Sequence, residues 1–91
     1  MKGTSLLTVY SLENCPNCEL LKDFLQEKGI LFQEENMAAA APLTELRIHG
    51  VFVREAPVLR IGEVFLTSAD LFRNGEVCED IIKGKLTGER R

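Results

Sequence analysis

Leu6-Leu7-Thr8-Val9-Tyr10, the connector Ser11-Leu12-Glu13-Asn14, and then Cys15-Pro16-Asn17-Cys18 decide how the whole chain reads. The opening stretch is short, apolar and partly β-branched, as a buried strand requires. Beyond the cysteines the spacing predicts a helix over residues 18–28, with Leu20, Leu21, Phe24 and Leu25 as its apolar stripe and Gly29 as its C-cap. The two thiols therefore stand at the seam between a strand and a helix. The start of a helix carries unpaired N–H groups and a partial positive charge. That field favours thiolate over thiol, and the thiolate is the form that attacks disulfides. Cys15 would lie at the helix mouth and Cys18 one turn deeper. Cys15 is thus the expected nucleophile, and Cys18 the thiol that resolves a mixed disulfide. Pro16 suits the first helical position, where its missing N–H costs nothing.

Two plainer readings of the pair are weaker. A structural zinc site needs four ligands, and the other candidates, Cys78 and His49, are distant and not paired at ligand spacing. No metal is expected. A purely structural disulfide across a three-residue offset closes a tiny loop with little entropic benefit.

A chain of 91 residues is one domain, 1–91, and buries roughly 60–70% of its unfolded surface. The balance of 45% apolar and 27% charged residues is that of a globular domain. A net charge of −3 implies no general attraction to nucleic acid or acidic membranes. No apolar run approaches the ~20 residues of a membrane span, and residues 1–5 lack the apolar core of a signal peptide. With 3 cysteines, one is left over from any disulfide framework. A cytoplasmic monomer, away from nucleic acid and membrane, is the expectation.

Residues 30–34 read as a second strand. A second helix should begin near Pro42, which blocks a helix running through the preceding alanines, and end about residue 49, with Leu43, Leu46 and Ile48 inward and Gly50 as its stop. Residues 51–56 should be extended, since the residue before Pro57 avoids the helical region. Strands at 58–61 and 64–66 flank Gly62-Glu63, a two-residue turn with glycine first, as type II′ wants. Thr67-Ser68-Ala69-Asp70 has the form of a capping box ahead of a short helix over 69–73. Asn74-Gly75 punctuates it. A last helix over 76–83, with Val77, Ile81 and Ile82 inward, leaves 84–91 as a tail. The first two strands should be parallel and the hairpin antiparallel, which makes an α/β fold: a four-stranded mixed sheet flanked by helices.

That order, with Cys15-Pro16-Asn17-Cys18 after the first strand and Ala56-Pro57-Val58 before the hairpin, resembles the glutaredoxin branch of the thioredoxin superfamily over roughly residues 6–83. The resemblance implies a thioredoxin-like fold and a thiol–disulfide oxidoreductase with catalytic Cys15, Cys18 and Pro16. It also implies a cis Pro57 beside the cysteines, and Ala56 pairing its backbone with a partner's. Asn17, Ser68, Ala69 and Asp70 complete the implied substrate-binding set, with glutathione as co-substrate rather than a bound cofactor. Three positions depart from glutathione-using members: Leu12 replaces a basic residue, Asn17 an aromatic, and Thr67-Ser68 a Gly-Gly pair. These departures bring in the glutaredoxin-like redoxins that serve ribonucleotide reductase and take electrons from a flavin- or iron–sulfur-linked disulfide reductase. The stretch from Leu43 through Val53 to Leu59 resembles their archaeal and anaerobe-type members. Other relatives hold an iron–sulfur cluster between two subunits through the first cysteine, but Pro16 usually accompanies redox use.

Asp70 reads equally as a plain cap, and Arg47 as a solvated helix charge. Glu13, two residues before Cys15, would oppose thiolate formation if it lies close. Cys78 reads as a small apolar residue on the buried side of the last helix. His49 reads as a dipole partner at a helix end, and Tyr10 as flanking the site. Val51 and Phe52 read as core.

Overall fold

The computed structural model describes residues 7–52 and 55–89, with side chains through Leu86. Strand β1, Leu7–Ser11, is central because both its edges and both its faces are covered. It pairs in parallel with β2, Gln33–Asn36, and antiparallel with β3, Val58–Ile61, which pairs antiparallel with β4, Val64–Leu66. The sheet order is β2-β1-β3-β4. The expected four-stranded mixed sheet is present, and the architecture is compatible with a thioredoxin-like fold. Among the described residues no helix is long and apolar enough to cross a membrane.

Alternation along the strands splits the core in two. Leu7 and Val9 of β1, with Leu59 and Ile61 of β3, face one side. There they meet Leu21 and Leu25 of helix α1, Pro16–Glu27, together with Leu71 and Ile82. Tyr10 and Val58 face the other side, against Met37 and Leu46 of helix α2, Ala40–Ile48. A polar tie crosses this second side: Tyr10 Oη donates to Glu45 at 3.2 Å, and Arg60 reaches the other Glu45 oxygen at 2.8 Å. Arg60 also lies over the Phe65 ring, 5.1 Å from its centroid.

Several boundaries differ from the expectations. Strand β2 is the polar run Gln33–Asn36, not residues 30–34. It is an edge strand, and charged residues suit an exposed edge. Ile30 and Phe32 lead into it and pack on the first core. Glu34 accepts from Ser11 Oγ at 2.7 Å and from Lys22 at 2.9 Å, tying that edge to β1 and α1. The Lys22 ammonium beside it, then the Ser11 hydroxyl, hold the Glu34 carboxyl below its ordinary range. Leu20 and Ile48, expected inward, are exposed, Ile48 at 75%. Phe52, expected in the core, is 74% exposed, while Val51 packs partly on the second core. Val53 and Arg54 of the stretch before Pro57 lie outside the described residues.

The hairpin turn conforms: Gly62 has φ 61°, and Glu63 is not among the residues of positive φ. After β4 the reading diverges. Helix α3 is Ser68–Leu71 rather than 69–73. A small hairpin follows, β5, Phe72–Arg73, and β6, Glu76–Val77. It turns at Asn74 and Gly75, whose φ values of 55° and 79° suit a type I′ turn. Helix α4, Glu79–Glu89, starts three residues later than expected and occupies much of the presumed tail. Val77, Ile81 and Ile82 still reach the first core, Val77 from a strand.

Candidate active site

The connector after β1 turns through Asn14, whose φ of 56° lies in the left-handed region that asparagine tolerates better than most residues. It delivers Cys15 to the N-cap of α1 in extended conformation, φ −116° and ψ 100°, with Pro16 as the first helical residue. The Cys18 N–H donates to Cys15 Sγ at 3.1 Å, so a sulfur satisfies a helix donor that a cap oxygen would ordinarily take. Cys15 and Cys18 form a disulfide, with Cα atoms 5.2 Å apart. Cys18 is fully buried, whereas Cys15 is half-buried. An incoming thiol can therefore reach only the first sulfur.

A groove of about 510 Å³ opens over that sulfur, lined by Leu12, Cys15, Pro16, Asn17, Ala56 and Ser68, with Glu13, Asn14 and Glu55 completing its wall. The Ala56–Pro57 peptide is cis, and Pro57 is buried. The Ala56 carbonyl oxygen lies 3.7 Å from Cys15 Sγ and accepts from Ser68 Oγ at 3.5 Å. On reduction two neighbours act oppositely on the first sulfur. The Cys18 N–H donates a hydrogen bond that a thiolate accepts best, while the Ala56 oxygen can accept a hydrogen bond only from the S–H of the thiol.

The structure gathers Cys15, Pro16, Asn17, Ala56 and Ser68 around one opening, with Cys18 and Pro57 behind it. It does not bring Ala69 or Asp70 into the groove lining; both are exposed. Asp70 Oδ2 accepts from Thr67 N at 3.0 Å and from Thr67 Oγ1 at 3.1 Å, which is the plain capping arrangement. Cys78 is not on a buried helix face. It stands just before α4, half-buried, with its N–H donating to Leu71 O. His49 caps the C-terminus of α2, its Nδ1 2.9 Å from Glu45 O and its ring against Phe65. Arg47 is exposed. Tyr10 lies beneath the site rather than in it, 1% exposed and packed with Leu12 and Ala56. Burial raises its pKa above the ordinary phenol value.

Glu55 is a site residue the sequence reading passed over. Its signal was adjacency, since the segment that brings Ala56-Pro57 against the cysteines also brings the residue before them. Among the described residues no group of three or more His, Cys, Asp or Glu is placed to hold a metal ion.

No family model matches this chain. Over 56 residues it is 34% identical to the N-acetyl-S-hydroxy-L-cysteine reductase of Bacillus subtilis (strain 168). The match spans 62% of this chain and 60% of that protein, so the chain covers less than two thirds of its relative's length. A reductase relative and a Cys-x-x-Cys pair together fit a thiol redox function in general.

Proposed function

We propose that this chain is a glutaredoxin-like thiol–disulfide oxidoreductase working by dithiol exchange. The observation that supports it best is the asymmetry of the pair: a reachable Cys15 sulfur at the helix cap, bonded to a Cys18 sulfur sealed one turn inside. In the reduced protein the Cys15 thiolate attacks one sulfur of a substrate disulfide, and the other substrate sulfur leaves and takes a proton. Cys18 then loses its proton and attacks Cys15 Sγ. The second substrate thiol is released, and the Cys15–Cys18 disulfide is restored. Two electrons pass from the protein pair to the substrate. Pro16 starts the helix that polarises the first sulfur, and Ala56 and Ser68 offer the groove wall against which a substrate backbone can lie.

The relative's name supports a second substrate class for the same chemistry: a cysteine within a protein chain oxidised to the S-hydroxy form, which, unlike the free amino acid, carries no carboxylate of its own. An S-hydroxy-cysteine is a sulfenic acid. Attack by the Cys15 thiolate on its sulfur would release water, after protonation of the leaving hydroxide, and give the same kind of mixed disulfide. Cys18 would resolve it in the same way.

For recharging, the candidates are glutathione or a flavin- or iron–sulfur-linked protein reductase. A protein reductase is the better match, because Leu12 stands where glutathione users carry a basic residue and Asp70 is engaged in a cap. Ribonucleotide reductase is one disulfide protein such a redoxin would serve. The deciding experiment follows reduction of insulin and of a small mixed disulfide, first with glutathione and its reductase, then with a thioredoxin-type reductase. Turnover with the second donor is the expected result. Failure with both donors and with dithiothreitol would remove the redox reading, and a coloured, iron-containing protein would replace it with cluster binding.

A further inference from the structure

The groove over Cys15 carries charge of one sign. Glu13 and Glu55 both belong to its wall and both are exposed, while the remaining lining is neutral: Leu12, Asn14, Pro16, Asn17, Ala56 and Ser68. Among the described residues no lysine or arginine lines it. A thiol approaching Cys15 enters, as thiolate, a groove whose charged lining residues are these two glutamates. Whatever further charge it carries then meets theirs across an open, solvent-exposed mouth, where the interaction is modest and screened by salt.

Resting on the redox reading above, we propose that Glu13 and Glu55 form a charge filter: the site accepts exchange partners that carry neutral or positive charge beside their sulfur and disfavours anionic ones. The chemical class so defined is a disulfide or thiol flanked by basic or uncharged groups. Carboxylate-bearing small thiols, including cysteine derivatives with a free carboxylate, are poor partners. The step concerned is attack of an external thiolate on Cys15 Sγ of the oxidised protein. The Cys15–Cys18 bond breaks, Cys18 leaves and takes a proton, and a mixed disulfide with Cys15 forms. A second external thiolate then attacks the external sulfur of that mixed disulfide. It releases the small-molecule disulfide and leaves Cys15 reduced, both electrons having come from the external thiols.

The test measures reduction of the full oxidised chain by three small thiols at equal thiolate concentration: cysteamine, 2-mercaptoethanol and 3-mercaptopropionate. Wild type is compared with Glu13→Gln, Glu55→Gln and the double variant. Relative to 2-mercaptoethanol, which carries the thiolate charge common to all three, each replacement should speed 3-mercaptopropionate and slow cysteamine by about two- to fivefold, the scale of exposed charge–charge interactions. High salt should shrink the wild-type spread among the three thiols toward that of the double variant. A common change for all three thiols would overturn the filter, since it would mean that the carboxylates act on the cysteine pair and not on the partner. Unchanged rates for all three would overturn it equally. Failure of 2-mercaptoethanol to reduce the wild-type chain at all would instead strike the redox reading itself.

Discussion

Among the described residues two helices begin at or just after a cysteine, and one of the two carries a cysteine pair beneath a groove. At α1, Cys15 is the cap, a second sulfur lies one turn inside, and a groove opens over the first. At α4, Cys78 stands just before the first turn, but its backbone does the work: its N–H donates to Leu71 O at 2.7 Å, and its carbonyl accepts from Ile82 N at 3.3 Å. The residues that follow it are Glu79 and Asp80 rather than proline and a partner thiol. Both starts expose helix N–H groups and the same end of the dipole. The comparison teaches that this field is generic. At α4 it favours carboxylates, and at α1 it acts on sulfur only because a cysteine occupies the cap and another the third helical position.

The sharpest way to break that contrast is to exchange the sulfurs for hydroxyls one at a time. Cys15→Ser should reduce dithiol turnover to the uncatalysed background, whereas Cys78→Ser should keep the wild-type rate in the same coupled assay. Equal losses would mean that the two helix starts are not functionally distinct. Cys18→Ser separates the two halves of the exchange. It should still attack a substrate disulfide but stop there, with the mixed disulfide on Cys15 visible as an added mass on the intact protein. If no adduct accumulates, Cys18 is not the resolving thiol. A third measurement needs no mutation. In the reduced protein, iodoacetamide should modify Cys15 at least about tenfold faster than Cys78, because the Cys15 sulfur receives a helix N–H. Peptide mapping after brief labelling reads that ratio directly.

The same contrast explains what could be read from the chain. The α1 start was legible because its signals are local: a β-branched apolar run, proline at the first helical position, and two cysteines at helical spacing. The Gly62-Glu63 turn was legible for the same reason, as was the Thr67–Asp70 box. The α4 start was misplaced because Glu76 and Val77 are consistent with a helix and are claimed by β6 only through pairing with Phe72 and Arg73. Strand β2 was misplaced because its residues are polar, and what makes them a strand is the parallel edge of β1. Glu55 entered the groove through tertiary placement of the segment around Pro57. In each case a partner distant in sequence, or across a turn, overrode the local pattern.

A third helix start offers a smaller effect. Thr67 caps α3, its N–H and its hydroxyl both donating to Asp70 Oδ2, and the next residue, Ser68, donates to Ala56 O in the groove wall. Thr67→Ala should cost about 1 kcal/mol of stability, the usual value of such a cap, measured by urea unfolding. A neutral result would mean that the box closes the helix without holding it.

The smallest expected effect lies at α4 and depends on pH. Glu79 sits in the first turn and pairs with Lys83 at 2.7 Å and Lys28 at 3.2 Å. These ammonium groups, Lys83 more than Lys28, hold its carboxyl below the ordinary carboxylate range. A carboxyl depressed in the folded state stabilises the fold fully above its unfolded pKa and loses that contribution as pH falls toward the folded value. Glu79→Gln should therefore be slightly less stable than wild type at neutral pH, and the gap should close once acid has protonated the wild-type side chain. The effect is small because the pair is solvent-exposed and screened. Urea melts of both proteins at neutral pH and below the carboxylate range provide the comparison. A gap that persists unchanged in acid would assign the loss to packing, and would leave α4 begun by shape rather than by the charge that its first turn carries.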